Sequence, residues 1–140
     1  MARPLRSGIL AALAVAMLPA LANAQYFGRN KVQYRAFDFQ IIKTEHFDVY
    51  YYPVEREAAY DAARMIERSY ARLSRVLQHE FQERKPLIIY ASHSDFQQTN
   101  AIQGELDEST GGVTEGSKAR MILPFTGAYA DFDHVLTHEL

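Results

Sequence analysis

The chain has 140 residues, which is room for one domain with a modest core and not for two. Its 15 basic and 17 acidic residues give a net charge of −2, and a phosphate-binding protein needs a basic face, so nucleic acid is set aside as a partner. Cysteine is absent, which excludes disulfides, thiolate ligands, a cysteine nucleophile and a lipidated cysteine anchor, and leaves any metal chemistry to His and carboxylates.

Residues 1–24 read as a secretory signal peptide. Arg3 and Arg6 give a basic start, Ile9 to Leu18 is an apolar run, and Ala22-Asn23-Ala24 fits the small-x-small cleavage rule. The apolar stretch from Ile9 to Ala22 contains Pro19 and falls short of the ~20 residues needed to span a bilayer, so no stable membrane span is expected after cleavage. Cleavage after Ala24 leaves 13 of the 15 basic residues against 17 acidic ones, a net charge of about −4. An exported protein, periplasmic or secreted, is expected.

The segment 25–35 reads as an extended arm, with Gly28 and Asn30 as loop markers. Phe37, Phe39 and Ile41 then alternate with Asp38 and Gln40, and Phe47, Val49 and Tyr51 alternate with Asp48 and Tyr50. Two strands, or one long bent strand, follow from that period. His46 at their junction reads as a hydrogen-bonded turn residue. Pro53 stops the strand, and Glu55 and Glu57 place acid at a helix start, where the dipole favours it. Ala59, Ala62, Ile66, Leu73, Val76 and Leu77 share one face with Tyr70, and Arg64, Glu67, Arg68, Arg72 and Arg75 take the other. That helix is expected to end near Arg84-Lys85, before Pro86.

Pro86 to Tyr90 reads as a buried strand, and Ser92 or Ser94 as the cap of a short helix. Gln103 to Gly112 is a polar loop. Ala119, Met121 and Leu123 alternate with Arg120 and Ile122 in a strand that Pro124 stops. The last helix has Asp131 as its expected N-cap, Asp133 in its first turn and Val135, Leu136 and Leu140 as an apolar stripe. The order suits an α+β layer, a small mixed sheet with helices packed on one face.

Chemistry concentrates in Thr137-His138-Glu139-Leu140. A His followed by Glu on an apolar-faced helix begins the H-E-x-x-H pattern, in which two His one turn apart bind Zn²⁺ and the Glu takes a proton from the metal-bound water. His138 and Glu139 are present; the second His would stand two residues beyond Leu140. The helix carries no Gly, Pro, Lys or Arg as a stop signal, and the expectation is an N-terminal fragment cut inside its active-site helix. Two simpler readings stand beside this one. The pair can be a chance occurrence, or His134 and His138, one turn apart, can form a surface metal pair or two solvated imidazoles.

Phe47-Asp48-Val49-Tyr50-Tyr51, Phe96-Gln97-Gln98-Thr99-Asn100, Gly111-Gly112-Val113-Thr114-Glu115, Ile122-Leu123-Pro124-Phe125 and above all Tyr129 to Leu140 carry a resemblance to a known family. The segment 36–140 resembles part of the peptidase-MA-like domain, a thermolysin-like gluzincin of exported bacterial proteins often followed by a Tol-type β-propeller. The resemblance implies a zincin-like fold, a Zn²⁺ cofactor in the complete protein, His138 as first zinc ligand and Glu139 as general base. It also implies that the strand Arg120, Met121, Ile122 and Leu123 is the sheet edge on which a peptide or protein substrate is laid. The expected function is that of an exported zinc metallopeptidase if the chain continues through a complete motif, with the fragment itself inactive. The alternative is a non-catalytic periplasmic peptidase-like binding module carrying a Tol-type β-propeller.

Overall fold

The computed structural model describes residues 31–102 and 106–140. The expected signal segment and residues 25–30 of the expected arm lie outside them. Five strands form one sheet: β1 (Gln40–Lys43), β2 (Phe47–Tyr51), β3 (Lys85–Tyr90), β4 (Val113–Glu115) and β5 (Arg120–Pro124). Their spatial order is β1-β2-β3-β5-β4. The centre, β2-β3-β5, is parallel, and an antiparallel strand closes each side. Among the described residues three α-helices accompany the sheet: α1 (Arg56–Leu77), entered through a 3₁₀ turn at Pro53–Glu55, the short α2 (His93–Phe96) and α3 (Tyr129–Glu139). The α+β class and the mixed sheet are as the patterning implies, but the helices, expected on one face, divide between both: α1 and α3 pack on one and α2 on the other. Parallel neighbours cannot be joined by a tight turn, and α1 supplies the crossover from β2 to β3.

Register places Val49 beside Leu87 and Leu87 beside Met121, so alternate residues of the three parallel strands fall on one face. There Phe47, Val49, Leu87, Ile89, Met121 and Leu123 pack with Ala59, Ala62, Ile66 and Tyr70 of α1 and Phe132 and Leu136 of α3. The intervening residues build a second, smaller core on the opposite face. Tyr90 and Ile122 meet Tyr52, Phe96 of α2 and Leu106 there.

Several expectations are corrected. Phe37 and Phe39 precede β1; their rings stack against Tyr52 and Tyr90 and cover the second core. Helix α1 stops at Leu77, because Gln78 adopts a left-handed conformation (φ 50°) and its N–H bonds Ser74 O. Val76 and Leu77 consequently project past the sheet and are exposed. Helix α3 begins at Tyr129 with Ala128 at the cap and no side-chain cap bond, so Asp131 stands in the first turn. The strand Arg120–Leu123, expected at the edge, is interior: β3 flanks β5 on one side and β4 on the other. The edge is β4, a three-residue strand too short and too Gly-flanked for period-2 patterning to expose.

Other features stand where patterning put them. Ser92 caps α2, its hydroxyl accepting from the Asp95 N–H at 3.1 Å. His46 is held at the β1–β2 junction, with its N–H and its Nδ1 both 2.8 Å from the Glu67 carboxylate. Residues of the arm lie along the segment after α2, where the Lys31 N–H donates to Asn100 Oδ1 and the Tyr34 N–H to Gln98 Oε1. No helix among the described residues is long and apolar enough to cross a membrane.

Candidate functional site

Helix α3 is fixed by its apolar residues before its polar ones come into play. Phe132 and Leu136, four apart, bury against the sheet, and Phe132 meets the Phe125 ring edge-on at 5.3 Å. On the helix α1 side, Ser69 Oγ lies 2.8 Å from Thr137 Oγ1, and Arg68 donates to Asp133 at 2.8 Å. These contacts set the rotation of α3, and with it the directions of His138 and Glu139.

Residues 131, 135 and 139 share a face at steps of four, and that face meets the segment leading into β4. A side chain at Gly112 would stand 3.0 Å from Val135 and 3.1 Å from both Glu139 and Leu123; at Gly111 it would stand 3.1 Å from Val135. The two glycines therefore allow the backbone to approach α3 more closely than any other residue permits. Strand alternation puts Val113 towards Ile122 in the second core and Thr114 towards α3. Thr114 Oγ1 stands 2.7 Å from Glu139 Oε2 and 2.7 Å from the Glu139 backbone oxygen. The hydroxyl thus ties the sheet edge to the last turn of the helix.

His138 lies about 100° further round α3 from Thr137 and is exposed, as is His134 one turn earlier. The structure brings Glu139 and β4 together. Arg120 to Leu123 are held one strand further in. Arg120 pairs with Glu115 of β4, while Met121, Ile122 and Leu123 are buried in the two cores. Beside the glycines a cavity of about 180 Å³ is lined by His93, Glu108, Thr110, Asp131, Phe132 and Val135, among others. His93 is anchored, its Nε2 2.9 Å from the Asp107 backbone oxygen.

Among the described residues no three His, Asp or Glu are grouped to hold a metal ion. A catalytic zinc takes three protein ligands and keeps one position open. The described residues offer His138 as one accessible imidazole and do not make a complete donor set, so no step is derived through a metal.

The sequence marks Glu55 only as an acid at a helix start. It is instead buried at 5% exposure below the 3₁₀ turn. Its Oε1 accepts the Tyr52 N–H at 3.3 Å, the carboxylate half of a capping box, and its Oε2 has no hydrogen-bond partner among the described residues. Burial pushes its pKa up to about 8; the Tyr52 N–H opposes the rise and the Asp95 charge adds to it. Close by, the Tyr52 hydroxyl donates to Asp95 Oδ2 at 2.6 Å and accepts the Ala91 N–H at 2.7 Å. Burial and the Asp95 bond raise the Tyr52 pKa. Glu three residues after Tyr52 is the spacing of a capping box, and that is the signal the sequence offers. Thr114 carries no signal, since its role depends on a strand only the folded sheet reveals.

Comparison with known proteins gives no family model that matches, no matching curated protein and no matching solved structure.

Proposed function

We propose that α3 carries the beginning of a zinc-peptidase site and that the protein is an exported metallopeptidase acting on peptide bonds, with a zincin-like fold and a Tol-type β-propeller as its further domain. The observation that carries this reading is the placement of Glu139. A carboxylate follows an accessible imidazole on a helix packed on the sheet, and it is oriented by a hydroxyl from the adjoining edge strand. A general base needs that kind of fixed direction towards the proton it takes. Strand β4, paired on one side by β5, has its outer backbone groups directed away from the sheet, and an extended peptide can add there by main-chain hydrogen bonds. On this reading β4 presents the substrate, Thr114 orients Glu139, Glu139 moves the proton and His138 is one of the metal ligands.

The test uses the protein expressed from its full reading frame. About one zinc per chain and hydrolysis of a peptide library are expected. Glu139→Gln should keep the zinc and lower turnover by roughly 10²–10⁴-fold, the usual contribution of a positioned acid or base. Undiminished turnover removes Glu139 from its role. A folded protein without zinc supports the non-catalytic binding module instead.

A further inference from the structure

Helices α1 and α3 run side by side in the same direction. Asp61 faces the Tyr129 hydroxyl near their starts, and eight residues further along each helix (61 to 69, 129 to 137) Ser69 Oγ stands 2.8 Å from Thr137 Oγ1, with the Arg68–Asp133 pair between. At about 100° per residue, Met65 and Ser69 share one flank of α1, and Val76 falls between them in direction. Helix α3 ends at Glu139, whereas α1 continues to Leu77. The flank that meets α3 is therefore uncovered in the last turn of α1, where Val76 is 71% exposed and Leu77 beside it 69%.

An apolar residue standing singly on a surface needs no explanation. Val76 differs because the flank it belongs to is packed on another helix for the two turns before it, and loses that cover where α3 ends. The loop after α1 does not replace it, since that loop lies on the other flank, with Phe81 stacked on the Tyr70 ring at 4.8 Å. The apolar stripe of α3 points to the same place: Phe132 and Leu136 are buried, and Leu140, four residues on, packs on the same core. A helix prolonged along the α3 axis keeps the ~8–10 Å separation of packed helices, and residues about four or five past Leu140 then stand opposite Val76 and Leu77. A separate partner would have to abut the last turn of α3 to fill the same space; α3 itself reaches it with no change of direction.

We propose that the last turn of α1, with Val76 and Leu77 at its surface, is the docking seat for the next turns of α3, which extends past Leu140 as one helix and turns an apolar residue inward one turn later. The inference shares with the peptidase reading only the continuation of α3, and it is indifferent to zinc. Its consequence for that reading is mechanical. The turn expected to carry the second His is clamped between the core and α1, so its position relative to His138 is set by packing before a metal arrives.

The test uses the protein expressed from its full reading frame. Residues 1–140 contain no cysteine, so Val76→Cys and Ala71→Cys each place a single thiol in this part of the chain, the first on the seat and the second on the exposed far side of α1. Both are labelled with N-ethylmaleimide and read by peptide mass. In the folded protein Val76→Cys is expected to react at least tenfold more slowly than Ala71→Cys, and in denaturant the two should react alike. Serine is no worse a helix former than valine, so Val76→Ser costs nothing at an exposed site and should lower the urea midpoint at a covered one. Equal labelling in the folded protein, an unchanged midpoint in Val76→Ser, or a reading frame that closes at Leu140 overturns the proposal. Protection that fades on dilution also overturns it, because the cover is then a second copy. Protection without zinc upholds the seat and removes the peptidase reading; zinc and turnover with Val76→Cys freely labelled do the reverse.

Discussion

Glu55 makes the stability of this protein depend on pH in an unusual direction. Its folded pKa, about 8, is above the ordinary carboxylate value of 4.5, so between those values the folded state holds a proton that the unfolded state has released. Stability from this group is full below about pH 4.5 and is lost as pH rises through 8. The acids with lowered pKa act in another window. Burial raises Glu67, but bonds from Thr44 and His46 outweigh it; Ser109 and Thr110 lower Asp107; Arg120 and Lys118 outweigh the burial of Glu115. What those three contribute is lost only as pH falls below the usual carboxylate range. The melting temperature is therefore expected to decline from pH 5.5 to pH 8 by the equivalent of a few kcal/mol at most, because each tenfold change in proton affinity is worth about 1.4 kcal/mol. Glu55→Gln, measured by thermal melts across that range, should flatten the slope; a slope that persists assigns it elsewhere. Gly112 offers a second residue-level test. Gly112→Ala puts a methyl group 3.0–3.1 Å from Val135, Glu139 and Leu123, and overpacking of this kind costs about 1–3 kcal/mol. Denaturant unfolding should show that loss, and an unchanged midpoint would mean that β4 gives way freely.

At the level of elements, the sequence is most legible where one period runs unbroken. The alternation Phe47-Val49-Tyr51 and the continuous Leu87-Ile88-Ile89 locate β2 and β3, and the three- and four-residue steps through Ile66 locate the buried face of α1. Legibility fails where three-dimensional context takes over. The apolar Val76 and Leu77 continue the helical period, but the sheet beneath α1 has ended, and Gln78 turns the chain away seven residues before Lys85. Phe37 and Phe39 alternate as a strand would, yet their rings are wanted on the second core, so the ladder begins only at Gln40. Arg120 to Leu123 read correctly as a strand, but nothing in the pattern marks β4 as its neighbour, so an interior strand looks like an edge. Of the candidate site, His138 and Glu139 are legible from their adjacency on a helix; Thr114, Gly112 and the depth of Glu55 are not, since each depends on residues distant in sequence. Two substitutions test the element-level account. Ile66→Ala, at a fully buried position between α1 and the sheet, should cost roughly 2–5 kcal/mol. Ser92→Ala should cost about 1 kcal/mol by removing the cap of α2, and equal midpoints by chemical denaturation would show that α2 is held by Phe96 alone.

On the scale of the whole molecule, two cores share one sheet, and α3 packs on the first of them with its last turn against β4. The strand order β1-β2-β3-β5-β4 adds a consequence in time. Strands β1 to β3 stand side by side in the order in which they are synthesised, so each can pair as soon as it emerges. Strand β4 cannot, because its partner β5 is made after it. It must wait unpaired until β5 has joined β3, and its anchor on Glu139 waits longer still, for α3. The edge that presents Thr114 is therefore the last part of the sheet to close, and a purified chain shortened to end before Arg120, which lacks β5, is expected to leave Val113 to Glu115 open to protease.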